Sequence, residues 1–395
     1  MQQFKEPSAQ EIKKAETAQK MWQIVLRQFM EHRMAVLGGL IILFFLTISL
    51  GADVISLVMG IDPNKQNLGA RYEQPLTRIE FSQDQKETEI ENWIKLHPAE
   101  AATLQKVLVE KQLVSVPETD ALYDVISLPK LEALEKLKSA KTPEAQSLEP
   151  LIQSFSSYHI FGTDEVGRDV FMRLIYGARV SIGVGILVAI ASALMGLVIG
   201  AIAGYYGGFL DNALMRLTDA LLSLPLIPVL IVVAAIDLQK VPFLNSLLPT
   251  GMESIFKMVI ILCLFSWMGV ARLVRGSILS LREREFVLAA KTLGATDSTI
   301  IFRHMFPNVI APMLVSITLG VGESILFEAA LSFLGLGIMP PTPSWGNMLN
   351  NAQEVIYKNI WLCILPGVMI LLTVISFNFL GDGLQDAVDP KSIRR

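Results

Sequence analysis

Four histidines, two cysteines and a few carboxylates inside apolar segments are the side chains with chemistry to offer. Their placement withholds most of it. His32, His97, His159 and His304 are scattered over different polar stretches and form no metal-ligand cluster. Cys263 and Cys363 fall inside apolar runs, where packed free thiols are expected rather than a disulfide or a metal pair. No Ser-His-Asp arrangement can be defended from the spacing. The Gly-x-x-x-x-Gly-Lys-Ser/Thr phosphate loop is missing, so any nucleotide must be handled by another chain. The informative polar groups are those in apolar company: Asp219, Glu323, Glu328 and Asn378. Each must find a partner or a wet cavity. Asp219 lies within helical reach of Arg216.

Residues 282–308 form a polar island between two apolar runs, longer and better punctuated than a connector needs. The pattern predicts two short helices meeting at a bend. Ala289 and Ala290 give the first a bare patch that another protein can approach closely. Gly294 stands where a helix ends in the left-handed conformation. Thr296 can cap the next helix, with Asp297 in its first turn, and Pro307 should limit it.

That island resembles the "EAA" loop of ABC-importer membrane subunits. The likeness rests on Ala289-Ala290, Gly294 and His304-Met305-Phe306-Pro307-Asn308 at the loop's spacing, and is strongest to the peptide and nickel permease branch. The resemblance implies that the loop contacts an ATPase subunit and transmits its movement to the membrane helices. The family's eponymous Glu falls on Leu288 here, and Glu285 lies one turn earlier. Glu285, Ala289, Ala290, Gly294, His304, Pro307 and Asn308 are therefore the candidate coupling residues. Three further stretches carry the same likeness: Phe161 to Ser181, Glu328 to Gly346 and Phe377 to Pro390.

Composition sets the broad class. The chain has 395 residues, 52% hydrophobic and 18% charged, with a mean hydropathy of +0.48. A soluble domain carries about 25% charged residues. Roughly 20 apolar residues span a bilayer as a helix, and six segments meet or approach that: about 35–58, 180–206, 213–236, 255–274, 312–334 and 360–381. The expected fold is all-α, a polytopic membrane protein of six spans. The first is read as retained, since it follows more than thirty polar residues and has no cleavage pattern. Ser192, Gly196, Gly200 and Gly204 make a small-residue face on the second span, and Pro225 and Pro228 should kink the third.

Orientation follows the positive-inside rule. With the N-terminus inside, the cytoplasmic side receives sixteen Lys and Arg, among them Lys5, Lys13, Lys14, Lys20, Arg272, Arg282, Arg303, Lys391, Arg394 and Arg395. The short external loops receive only Lys240, Lys257 and Lys358. Both termini and the loop at 282–308 are thus expected in the cytoplasm.

The expected domains are a cytoplasmic segment 1–34, a first span 35–58, an external (periplasmic) helical insertion 59–160 and a permease core 161–395. From Asp62 to Tyr158 the insertion holds 16 acidic and 11 basic residues, a net of −5. Ser82 with Gln85 suggests a capping box, Pro98 starts a second helix, and Leu131, Leu134 and Leu137 mark a third near Pro129. Such an insertion is a departure from the family pattern, read here as a solvated cap rather than a partner-recruiting surface. After it, Thr163 or Asp164 can cap an amphipathic surface helix, with Glu165, Arg168, Asp169 and Arg173 on its polar face and Arg168–Asp169 as a local ion pair.

The resemblance implies an inner (plasma) membrane permease subunit of a binding-protein-dependent importer for di- or oligopeptides. It brings a second homologous permease, two ABC ATPase subunits that hold ATP and Mg, an extracytoplasmic substrate-binding protein and membrane lipid as partners, and no nucleic acid. This chain needs no cofactor or metal of its own and is not an enzyme. Glu323, Glu328 and Asn378 are candidate pathway or interhelical contacts, with interhelical hydrogen bonding favoured for Glu328. An importer of nickel or another small solute stays open as an alternative. So does a secondary transporter, which should show inverted repeats with interrupted spans.

Overall fold

The computed structural model describes residues 21–236 and 252–388. Residues 1–20 of the N-terminal segment, Lys240, Lys391, Arg394 and Arg395 lie outside the described residues. By contacts the chain divides into two compact units.

The first unit comprises Met1–Gly51, Gly177–Asn350 and Leu365–Arg395 and holds most of the apolar helices. Helix Arg33–Leu50 starts at His32, whose Nδ1 accepts the Ala35 N–H at 3.1 Å, and stops at Gly51. The expected first span 35–58 is thus interrupted, with a second helix, Ala52–Met59, following. Gly38 and Gly383 let this helix meet helix Trp361–Val388 closely. A Cβ on Gly38 would stand 2.6 Å from the Ser376 carbonyl.

Helix Val170–Tyr206 runs for 37 residues, about 55 Å at the usual rise. Its small-residue face packs on helix Glu253–Arg282. Cβ atoms on Gly196, Gly200 and Gly204 would lie 2.6 Å from Val270 Cβ, 2.4 Å from the Ala271 carbonyl and 2.9 Å from the Arg275 carbonyl. Only glycine permits that approach, and dispersion over the contact holds the pair.

The predicted third span is not one kinked helix. Gly208–Leu222 and Leu226–Ala234 meet at 86° across a three-residue break. Pro225 makes the break, standing just before the second helix. Pro228 falls in that helix's first turn, where a missing N–H costs little. Asp219 reaches Arg272 at 2.5 Å, not Arg216 as helical spacing suggested, because its helix lies against Glu253–Arg282. Asp211 makes a two-bonded pair with Arg275 at 2.5 and 2.7 Å. Among the described residues five helices are long and apolar enough to cross a membrane, or six if the bent pair counts as one span.

The second unit comprises Ala52–Tyr176 and Asn351–Ile364. Strands Thr77–Glu80 and Ser156–His159 pair antiparallel, Thr77 opposite His159 and Glu80 opposite Ser156. Between them come helices Gln83–Leu96, Pro98–Glu110, Ala121–Ser127, Lys130–Ala140 and Pro143–Gln153. The Ser82–Gln85 capping box forms. Ile90, Leu104, Leu122, Ile126, Leu137 and Leu148 build one core. The stripe expected at Leu131, Leu134 and Leu137 is corrected: Leu131 is 77% exposed, and Ala133, Leu137 and Ala140 face inward. Helices 121–127 and 143–153 were not predicted. The first is only seven residues long, and the second carries an internal Pro150.

The amphipathic surface helix after this insertion is also corrected. Residues 160–169 are folded by Gly162 at φ +74° and Gly167 at φ +78°, where added Cβ atoms would strike the Glu73 and Asn67 carbonyls. Helix begins only at Val170. Arg168, Asp169 and Arg173 are buried rather than facing solvent. Arg168 pairs with Asp164 at 2.7 Å, not with Asp169, whose carboxylate meets His159 Nδ1 at 2.6 Å and caps the Met172 N–H at 2.6 Å.

Candidate functional site

The polar island folds as a helix, Glu285–Thr292, closed by a full left-handed stop. Gly294 has φ +78°. Its N–H bonds the Lys291 carbonyl, and the Ala295 N–H bonds the Ala290 carbonyl, each at 3.1 Å. This is the Schellman arrangement, which satisfies two carbonyls the helix end leaves orphaned. Nothing lies within 4 Å of a Cβ placed on Gly294, so the demand for glycine there is conformational rather than steric. Thr296 then accepts the Thr299 N–H and opens the next turn.

Pro307 does not limit the second helix. A π-helical turn, Ile300–Met305, leads into helix Phe306–Phe333, and Pro307 occupies that helix's first turn. Asn308 Nδ2 donates to the His304 carbonyl at 2.8 Å, next to the position where Pro307 supplies no N–H. The two-helix expectation therefore becomes one short helix and a membrane-length helix entered through a wide turn. Of the two alanines, only Ala289 is exposed. Ala290 turns inward with Val287, Ile300, Met305 and Val309, so the bare patch is half of what the sequence suggested. Glu285 and Leu288 lie on the exposed side, as do Pro307 and Asn308, and His304 is half-buried. The loop is held by Tyr205, which donates to Asp297 at 2.5 Å, and by Arg282, which donates to the Tyr205 carbonyl at 3.2 Å. Leu293, 87% exposed, and Phe302, 68% exposed, present apolar surface from it. The loop's sequence pattern draws attention to its small and polar residues instead.

On the same helix Glu328 is fully buried. Its Oε1 accepts from Ser332 at 2.7 Å and Ser344 at 2.9 Å, and its Oε2 from Ser181 at 3.1 Å. Each serine that donates to the carboxylate also accepts from backbone: Ser181 from Trp345, Ser332 from Ile338 and Ser344 from Asn347. The cage joins helices Val170–Tyr206 and Phe306–Phe333 to the segment at Trp345. Its serines were not predicted, because their meeting depends on long-range packing. Glu323 and Asn378 are different: both are exposed. Asn378 Oδ1 would stand 3.6 Å from a Cβ on Gly322, beside Glu323.

Among the described residues no group of three metal-ligating side chains comes together. The fold does connect a serine, a histidine and an aspartate that sequence spacing did not. Ser157 meets His159 Nε2 at 2.6 Å, and His159 Nδ1 meets Asp169. Since Asp169 also caps the long helix, the chain of bonds ties a strand to that helix's first turn.

Membrane-length helices with close glycine contacts, a stiffened polar loop at the ends of two of them and buried polar cross-links define a polytopic membrane protein. Residues 196–394 match the binding-protein-dependent transport system inner membrane component family. Residues 20–75 match the N-terminal transmembrane domain of oligopeptide transport permease C. The chain is 42% identical over 240 residues to the dipeptide transport system permease protein DppC of Alkalihalophilus pseudofirmus, covering 61% of this chain and 74% of that protein. It is 40% identical over 236 residues to the oligopeptide transport system permease protein OppC of Bacillus subtilis, covering 60% and 74%. The glutathione transport system permease protein GsiD of Pectobacterium atrosepticum gives 40% over 236 residues, also 60% and 74%. The chain belongs to the binding-protein-dependent inner membrane component family, as a multi-pass permease subunit of peptide ABC importers. The five helices from Gln83 to Gln153 fall between the two matched stretches.

Proposed function

We propose that this chain is one of two permeases that together form the route for di- or oligopeptides through the inner membrane. The second is a homologue, two ATPases bind ATP and Mg on the cytoplasmic side, and an external binding protein delivers cargo. The observation that carries this reading is the polar loop itself: a short helix stopped at Gly294 with Leu293 exposed beside the stop, followed by turns from Asp297 that run without a break into the helix that bears Glu328. From Phe306 to Glu328 that helix covers about 33 Å at the usual rise, so a push at the loop reaches the serine cage through one element. ATP favours one arrangement of the permeases only through its differential affinity for it. Glu323 and Asn378, exposed on membrane-length helices, supply polar surface to the pathway or to the second permease.

Proteoliposomes carrying the assembled importer, with ATP on the ATPase side, should accumulate labelled peptides of two to five residues. They should not accumulate nickel. Uptake without ATP, or driven by an ion gradient alone, would overturn the reading. Cysteines at Thr88 and Glu135, with Cys263 and Cys363 replaced, should react with an impermeant maleimide in spheroplasts. Protection of both until the membrane is opened would invert the proposed topology.

A further inference from the structure

Two cavities adjoin at the end of the bundle where helices Val170–Tyr206 and Glu253–Arg282 stop. The first, about 500 Å³, is bordered by Tyr205, Arg282, Glu283, Lys291 and Asp297. The second, about 320 Å³, is walled by Leu197, Ile202, Ile278, Ile301 and Phe302. Tyr206 lines both, so a polar chamber and an apolar slot share one wall. Paired tyrosines at the last turn of a span mark the depth where headgroups meet acyl chains. Polar at one end and apolar at the other, at that depth, is the pattern a lipid fits.

The charges narrow the class. The polar chamber sets two cations, Arg282 and Lys291, beside two carboxylates, Glu283 and Asp297. A purely anionic headgroup would meet attraction and repulsion in equal number. A headgroup with a phosphate and an ammonium bearing N–H donors can satisfy both signs: phosphate against the cations, ammonium donating to the carboxylates. A quaternary ammonium has no N–H to give. The geometry points to a phosphatidylethanolamine site, with the headgroup in the chamber and one acyl chain in the slot beside Phe302. Basic pockets between spans are known lipid-headgroup sites; here the added carboxylates select a zwitterion. Helix Glu285–Thr292 supplies Val287, Leu288 and Lys291 to the chamber wall. The assignment does not depend on the cargo.

The test uses the full-length permease, purified in detergent, stripped of lipid and equilibrated with micelles of equimolar dioleoyl phosphatidylethanolamine, phosphatidylcholine and phosphatidylglycerol. Retained lipid is counted by mass spectrometry after repurification. Phosphatidylethanolamine should be retained about five-fold or more over each of the others, at about one molecule per chain. Glu283→Gln combined with Lys291→Gln should bring the three lipids to near parity, and Ala201→Phe, which fills the slot, should lower retention of all three. Both variants must elute as the native species, and each reads out a different half of the site. Equal retention of the three lipids by the native chain overturns the assignment. So does preference for phosphatidylglycerol, or unchanged selectivity in the double variant. Soluble glycerophosphoethanolamine at matched concentration should not displace the lipid; full displacement would mean that the headgroup alone is bound, and would overturn the acyl slot.

Discussion

Glu328→Ala should be the most destabilising single change in the membrane helices, by about 3 kcal/mol. The carboxylate accepts three serine hydroxyls and is fully buried. Each hydroxyl left without its acceptor costs about 1 kcal/mol, and the vacated volume adds to that. Glu328→Gln should cost only about 1 kcal/mol. One amide atom still accepts. The other donates to a serine whose oxygen has a second lone pair. Unfolding of the purified protein, followed by thermal or denaturant titration, ranks the three. An alanine variant as stable as the native chain would remove the cage from the account. So would a glutamine variant as damaged as alanine, because the loss would then track charge rather than hydrogen bonding.

Gly294→Val should uncouple the importer. A β-branched residue at φ +78° is strained by roughly 1–2 kcal/mol, and the Schellman stop that aims helix Glu285–Thr292 gives way first. Peptide uptake is expected to fall by about ten-fold or more, while membrane insertion and the basal ATP hydrolysis of the complex persist. Gly294→Asn supplies the control. Asparagine tolerates the left-handed region, and open space surrounds the position, so most of the uptake should return. Equal loss in both variants would point to a packing role that the geometry does not show.

Much of this was readable before any coordinates. Most apolar blocks of membrane length, the glycine face on one span and the stop at Gly294 are local patterns that survive folding, while the first and third blocks break at Gly51 and Pro225. The capping box at Ser82 survives for the same reason. What failed was partner choice. Helical spacing gave Asp219 to Arg216 and adjacency gave Arg168 to Asp169, but a neighbouring helix offered Arg272 and the turn around Gly167 brought Asp164 to Arg168. Periodicity also read residues 164–169 as helix, because Gly162 and Gly167 were not weighed as positive-φ turns. Pro307 reads in sequence as a terminator, but a first-turn proline is equally allowed, and the first turn is where it stands. The serine cage was illegible for a different reason. Ser181, Ser332 and Ser344 are common residues far apart in sequence, and only the fold brings them to one carboxylate.

If the loop at 282–308 docks on an ATPase, its exposed apolar tip stands at the contact. A cysteine at Leu293, with Cys263 and Cys363 replaced, places a reactive thiol on the most exposed apolar residue of that loop. In membranes holding the assembled importer, a short bismaleimide should join it to the ATPase subunit in high yield. A cysteine at Glu135 in the insertion should give no such product. An ATPase adduct from Glu135 and none from Leu293 would contradict both the docking role and the side of the membrane assigned to it.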